Sequence, residues 1–287
     1  MAKRKLFLGL LLISALSGYA QNGPKAERIV SLNGTVTEIL CALGLQGQIV
    51  GTDVTSTYPA AMEKTPKVGH NRNIGAEAVL ALRPTVIVGA KTGSGMDIKP
   101  ELMQQFKSAG IKTILFDQNY SVAGTKQLIT EVAQTFGAGS KAVAINRQLD
   151  ADLAKARKPA KTQKVLFIYA RGTGTMMVAG RNTPIEKVLQ LAGAQNAVND
   201  FDSFKPLTAE ALVAANPDVI LLFNSGLESL GGLNGLLKVQ GVAQTNAGRN
   251  RRVIEMDGQL LTGFSPRLGL AVQELSRKLS EDMTASN

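Results

Sequence analysis

The chain repeats itself, and the repeat limits what it can fold into. Ile74-Gly-Ala-Glu77-Ala-Val-Leu-Ala-Leu-Arg-Pro84-Thr-Val-Ile-Val-Gly89 is echoed by Leu207-Thr-Ala-Glu210-Ala-Leu-Val-Ala-Ala-Asn-Pro217-Asp-Val-Ile-Leu-Leu222. Each reads as a short amphipathic helix headed by Glu and broken by Pro, then an apolar strand of the sort buried in parallel sheets. A looser echo matches Asn33 to Gly44, ahead of Ile49-Val50, with Asn182 to Gly193, ahead of Ala197-Val198. A duplicated α/β unit implies two similar lobes facing each other, with a ligand in the cleft between them.

The ends of the chain add a destination. Lys3, Arg4 and Lys5 precede the apolar run Leu6 to Leu16, and Gly18-Tyr19-Ala20 offers small residues at the cleavage positions. That run is too short to span a bilayer, so a cleaved export signal ending near Ala20 is expected. No Cys follows the run, which speaks against a lipid-anchored form. The expected division is a signal peptide at 1–20, a first lobe at 21–138, an interlobe helix at 139–160 and a second lobe at 161–287.

Strands and helices alternate through both lobes, which predicts an α/β fold: two Rossmann-like lobes with parallel-rich sheets. The link is one long helix, Ser140 to Lys158, with Ser140 as N-cap and Pro159 as terminator. Roughly 19 residues would run about 28 Å. A helical link bends less than paired strands, so modest opening and closing is expected.

Charge and composition exclude several functions. The net charge is +10, but three of the cations lie in the leader, and the rest are scattered without interleaved aromatics. Export, the absence of Trp and an aromatic content of 5% argue against nucleic-acid binding. The balance reads as a solubility feature, part of it available to an anionic ligand. Cys41 is the only cysteine, so no internal disulfide forms. Its apolar neighbours make it a small buried side chain with an inert thiol.

His70, in Val68-Gly69-His70-Asn71-Arg72, is the only histidine. Read alone, it is an ordinary loop residue. A Ser-His-Asp hydrolase would need it as base, yet no Gly-x-Ser-x-Gly elbow is present. Clustered His and Cys ligands for zinc cannot be assembled. A solitary imidazole can still complete a metal already held by a macrocycle. Arg72 is placed to pair with a carboxylate or restrain an axial partner, or is simply exposed near a helix start. Gly172-Thr-Gly174 is an incomplete phosphate fingerprint. Glu77 and Glu210 each head a helix, where the macrodipole favours a carboxylate by roughly 0.3–1 kcal/mol. Their matched placement also suits a paired docking role.

At these residues the chain resembles the substrate-binding proteins of bacterial ABC importers with a rigid interlobe helix, which carry cobalamin, ferric siderophores or haem. Within that group it is most similar to the periplasmic haem-binding proteins. The resemblance covers nearly all of the exported chain. It is carried by Arg28 to Ile39, by Pro66-Lys-Val-Gly-His-Asn-Arg-Asn-Ile-Gly-Ala-Glu77, and by Leu261-Thr-Gly-Phe-Ser-Pro-Arg267. The resemblance implies a carrier, not an enzyme: haem bound in the cleft and delivered to an inner-membrane permease. Where the family carries a haem-ligating Tyr, this chain has His70, with Tyr58 as the fallback ligand. Arg72 matches an Arg near the bound haem, and Tyr169, Arg171, Met176 or Met177 are the implied second-lobe contacts. Glu77 and Glu210 match the glutamates that grip the permease. The alternatives are cobalamin or a ferric siderophore on the same fold, a chelatase or haem-processing enzyme, or a signalling or adhesion module with a vestigial cleft.

Overall fold

Short apolar runs make the central strands of each sheet, which are buried on both sides. The structure, a computed structural model, describes residues 26–70, 73–93 and 97–281. The predicted signal peptide, Arg72 and the tail beyond Glu281 therefore lie outside the described residues.

The first lobe runs β1 (Ile29–Ser31), α1 (Gly34–Ala42), β2 (Ile49–Thr52), a hairpin of β3 (Gly69–His70) and β4 (Asn73–Ile74), α2 (Ala76–Ala81), β5 (Val86–Lys91), α3 (Pro100–Ser108) and β6 (Lys112–Asp117). Its main sheet has the order β2-β1-β5-β6, parallel throughout. Ile29, Val30, Val86, Ile87 and Val88 are fully buried in it, as a sheet covered on both faces requires.

Two helices lead out of this lobe, α4 (Val122–Thr135) and α5 (Gly139–Lys155). The second of these is the predicted interlobe helix with both ends moved. Ser140 lies inside it, and the preceding cap residue, Ala138, makes no side-chain bond. The chain turns extended at Ala156, ahead of Pro159, whose ring would clash with the Lys155 carbonyl of a continuing helix. Helix α5 lies against α4 on one side and against the C-terminal helix on the other.

The second lobe runs β7 (Lys164–Ala170), β8 (Met176–Ala179), α6 (Pro184–Leu191), β9 (Gln195–Asn196), β10 (Phe204–Pro206), α7 (Ala209–Ala215), β11 (Val219–Phe223), α8 (Asn224–Ser229), α9 (Gly232–Leu237), α10 (Asn246–Arg249), β12 (Val253–Met256), α11 (Gly258–Thr262) and α12 (Leu268–Ser280). The order is β10-β8-β7-β11-β12, with β9 also on β7. Strands β7, β9, β11 and β12 pair in parallel, whereas β8 and β10 are antiparallel. The cause is a tight turn: Gly172 has φ of 63° and Arg171 N–H donates to the Thr175 carbonyl at 2.9 Å. The Gly172-Thr-Gly174 segment, weighed as a phosphate cradle, is this hairpin turn.

Both echoes reappear as matched backbone. Helices α2 and α7 each precede a central strand, and each reaches its proline through a residue in the left-handed region, Arg83 at φ 47° and Asn216 at φ 38°. Helices α1 and α6 each end at a left-handed glycine, Gly44 at 79° and Gly193 at 80°. Each then leads into an edge strand parallel to its lobe's first strand. In the second lobe that strand is Gln195–Asn196, two residues earlier than Ala197-Val198.

The lobes share their core. One cluster of buried apolar side chains joins Ile29, Val36 and Val88 of the first lobe to Leu149 of α5 and to Val165, Val219 and Leu275 of the second. Cys41 is half-buried against it, and burial, aided by the nearby Glu38 carboxylate, pushes its thiol up to about 11. That thiol stays protonated at neutral pH.

Candidate functional site

The carboxyl ends of β2, β6 and β12 meet between the lobes, where a crevice of this fold class binds its ligand. The floor of the meeting point is a polar joint. Glu38 of α1 is 2% exposed and accepts two hydrogen bonds from the Arg267 guanidinium, at 2.9 and 2.8 Å. Ser265 Oγ donates to the same carboxylate at 2.6 Å, and Gln259 Nε2 at 3.3 Å. A buried carboxylate is tolerable only when its oxygens are satisfied in this way. Beside it, the Gly263 carbonyl accepts from Thr35 Oγ1 at 2.6 Å and from Gln118 Nε2 at 2.8 Å. The ring of Tyr120, at the end of the first lobe, meets Phe264 edge-on at 5.4 Å, and burial raises the Tyr120 phenol above its ordinary value.

His70 stands at one side of this joint. It is half-buried on β3, opposite Asn73, rather than in an irregular turn. Gly69 enables the hairpin: its φ is 117°, and a Cβ there would meet the Asn73 carbonyl at 2.3 Å. The hairpin is sewn to β2 and the loop beyond it. Val68 N–H donates to the Thr52 carbonyl at 2.9 Å, and Val54 N–H to the Gly69 carbonyl at 2.9 Å. Lys67 Nζ reaches Thr52 Oγ1, the Ser56 carbonyl and the Met62 carbonyl at 2.7 to 3.0 Å. Burial holds that ammonium below its usual pKa, against the opposing pull of Asp53 and Glu63.

The loop from Asp53 to Tyr58 continues from β2 past His70's strand to the second lobe. Gln259 Oε1 accepts from Thr57 N–H, Thr57 Oγ1 and Tyr58 N–H at 3.0, 2.8 and 3.1 Å. The Arg267 guanidinium lies 3.5 Å from the Tyr58 ring centroid. Tyr58 and His70 thus belong to one sewn unit of the first lobe. The second-lobe candidates form a separate group. Tyr169 and Met177 face each other across the β7–β8 hairpin, with Met176 opposite Ala170. The exposed Arg171 sits 5.8 Å over the half-buried Tyr169 ring.

A pocket of about 600 Å3 also bridges the lobes. Lys91, Asp117, Asn119 and Tyr120 line it from the first lobe, and Asn182 and Lys187 from the second. Most of its lining residues are polar or charged, and neither His70 nor the Tyr169 group is among them. Sequence reasoning missed these residues, together with Gln259 and Val54, because no motif marks them. Glu38 and Arg267 are different: each lies in a segment that carries the family resemblance. Among the described residues no group of three or more His, Cys, Asp and Glu is placed to hold a metal ion.

Glu77 and Glu210 are both exposed in the first turns of α2 and α7. The burial of the two helices is the same position by position, with only Val79 and Leu212 turned inward.

Comparison with known proteins agrees with this architecture. The periplasmic haem-binding protein RhuT of Roseiflexus sp. RS-1, in its apo form, is 39% identical with a TM-score of 0.84, covering 89% of this chain and 98% of that one. An uncharacterised ABC transporter substrate-binding lipoprotein of Bacillus subtilis, YvrC, is 30% identical over 89% of this chain and 81% of its own length. A vitamin B12-binding protein of Vibrio vulnificus is 26% identical over 94% and 95%. The periplasmic binding protein family matches residues 29–260, from the first strand of one lobe into the interlobe joint of the other. The chain belongs to that family.

Proposed function

We propose that this protein captures haem between its lobes, offers His70 to the iron, and delivers the haem to an ABC import permease. In this reading it catalyses nothing. The likeness to RhuT, a haem-binding protein, over nearly its whole length carries the proposal. The position of the only histidine supports it: His70 is held on a rigid hairpin beside a loop that touches the opposite lobe. Imidazole is a common axial ligand, and a half-buried ring on a fixed strand costs little to organise for iron. Tyr58, whose ring is engaged by Arg267, is the fallback ligand. Tyr169, Arg171, Met176 and Met177 are the second-lobe contacts, and Arg72 is the first-lobe partner of the haem.

Glu77 and Glu210, one on each lobe, are the proposed grips for the permease, which would need two matched basic sites. The same reading makes residues 1–20 a cleaved export signal without lipid attachment, 21–138 and 161–287 the lobes and 139–160 the helix between them, with the protein working in the periplasm.

The likeness to a vitamin B12-binding protein favours cobalamin as the second reading. Titrating purified protein with haemin, cobalamin and a ferric catecholate, then desalting, separates the two. Haem capture predicts that haemin alone co-elutes with the protein at one-to-one or greater stoichiometry. Retention of cobalamin in its place would overturn it.

A further inference from the structure

The loop after β2 is partly inverted. Two of its polar groups point inward, Asp53 at 1% exposure and Ser56 fully buried, while Thr55 and Thr57 stay at the surface. Its large apolar groups point outward: Val54 is 45% and Tyr58 42% exposed. A soluble loop left to itself does the reverse, since burying a carboxylate costs free energy and exposing an aromatic ring recovers none. The arrangement is therefore held by dedicated partners. Ser56 Oγ donates to Asp53 Oδ1 at 2.6 Å, and Thr55 donates to the other oxygen through its N–H at 3.1 Å and through its hydroxyl. Ser56 continues into a buried relay of hydroxyls through Thr37 to Ser31, each step 2.8 Å.

The outward side chains are just as firmly placed. The backbone of Val54 is bonded to Gly69, next to His70. Tyr58 has its backbone held by Gln259 and one ring face covered by Arg267, whose guanidinium is itself pinned by the buried Glu38. The result is a guanidinium held by a carboxylate and lying over the phenol ring, which stays partly open to solvent. Rigid, exposed apolar surface beside a candidate iron ligand marks a contact for a flat apolar group.

We propose that Val54 and the open face of Tyr58 form the apolar wall against which a flat macrocyclic ligand packs, with Tyr58 acting by stacking and not as an iron ligand. The inference rests on the haem-capture reading and assigns Tyr58 a different task from the fallback ligation considered there. Arg267 and Gln259 are then positioning residues supplied by the opposite lobe.

Haemin titration of four proteins tests this: the unaltered protein, Val54→Ser, Tyr58→Ala and Tyr58→Phe. Val54→Ser and Tyr58→Ala are each expected to weaken haemin binding about tenfold while keeping the shape of the absorption band. Tyr58→Phe is expected to recover what Tyr58→Ala loses, since stacking needs the ring and not the hydroxyl. Loss of the band in Tyr58→Phe would show phenolate ligation and overturn the inference. Unchanged affinity in Val54→Ser, which sits on the surface and leaves the fold intact, together with unchanged affinity in Tyr58→Ala would also overturn it. If the unaltered protein holds no haemin at all, the haem reading itself fails, which is a distinct result.

Discussion

The two lobes share a scaffold but not a loop. After α1 and its left-handed Gly44, the first lobe makes the four-residue strand β2, then the partly inverted loop and the hairpin bearing His70. After α6 and Gly193, the second lobe makes only the two-residue strand β9, and the chain beyond it is used for packing. Phe201 there is 9% exposed, against the 42% of Tyr58, and it lies beneath the Lys205 ammonium at 4.6 Å. Duplication thus supplied two equivalent supports, and the loop and hairpin bearing the proposed iron ligand were elaborated on one of them. The joint between the lobes is equally one-sided. Glu38 has no counterpart in the α6 echo, where Lys187 occupies the matching place.

The comparison can be broken or sharpened, beginning with the joint. If the unduplicated ion pair fixes the relation of the lobes, Glu38→Ala should cost about 3–5 kcal/mol, because it strands a buried guanidinium. The double variant Glu38→Leu with Arg267→Met should cost much less, since no charge is left unpaired. Urea denaturation monitored by circular dichroism reads both. Equal losses in the two proteins would mean that packing, not charge, is what the joint supplies.

The scaffold predicts symmetry with one calculable exception. Gly44→Ala and Gly193→Ala each place a Cβ in the left-handed region, at a cost of about 1–2 kcal/mol. At Gly44 the nearest atom is the flexible Lys141 Nζ at 3.0 Å, whereas at Gly193 it is Lys158 Cβ at 2.9 Å. The second substitution should therefore be the worse, and a larger loss at Gly44 would contradict the equivalence of the two turns.

The smallest effect on stability is expected where the repeat is most alike. Reversing charge at Glu77 and Glu210 removes a favourable helix-dipole contact of roughly 0.3–1 kcal/mol each. Haemin affinity should be unchanged and uptake by cells should fall sharply. Uptake that survives the double reversal would remove both residues from the permease contact.

What the sequence discloses follows from the same division. Helix α6 and strands β7 and β8 sit where periodicity, proline and capping signals put them, because those signals are local. Helix α5 ends at Lys155, three residues before the expected Lys158, because Pro159 acts on the carbonyl four residues before it and not only on its neighbour. The segment after β12 reads as a loop, yet it holds α11, whose Asp257 cap is bonded to Leu260 N–H at 2.8 Å. Helices α8 and α9 are hidden by Gly226, Gly231 and Gly232, which weaken any periodic pattern in so short a stretch.

At the site, His70 stands out because it is unique and occupies the place of the family's tyrosine, and Tyr58 only as a neighbouring tyrosine of the same lobe. Val54 and Gln259 do not stand out. Val54 is marked only by its exposure and its bond to Gly69, and Gln259 by contacts some two hundred residues apart in the chain, none of which a local pattern records.

The central claim is that one lobe supplies a solitary imidazole to haem iron. The most direct test is the absorption spectrum of the protein exposed to haemin and desalted, compared with that of His70→Ala treated alike. The account predicts a sharp low-spin band in the first and its loss or broadening in the second. Identical spectra would contradict it.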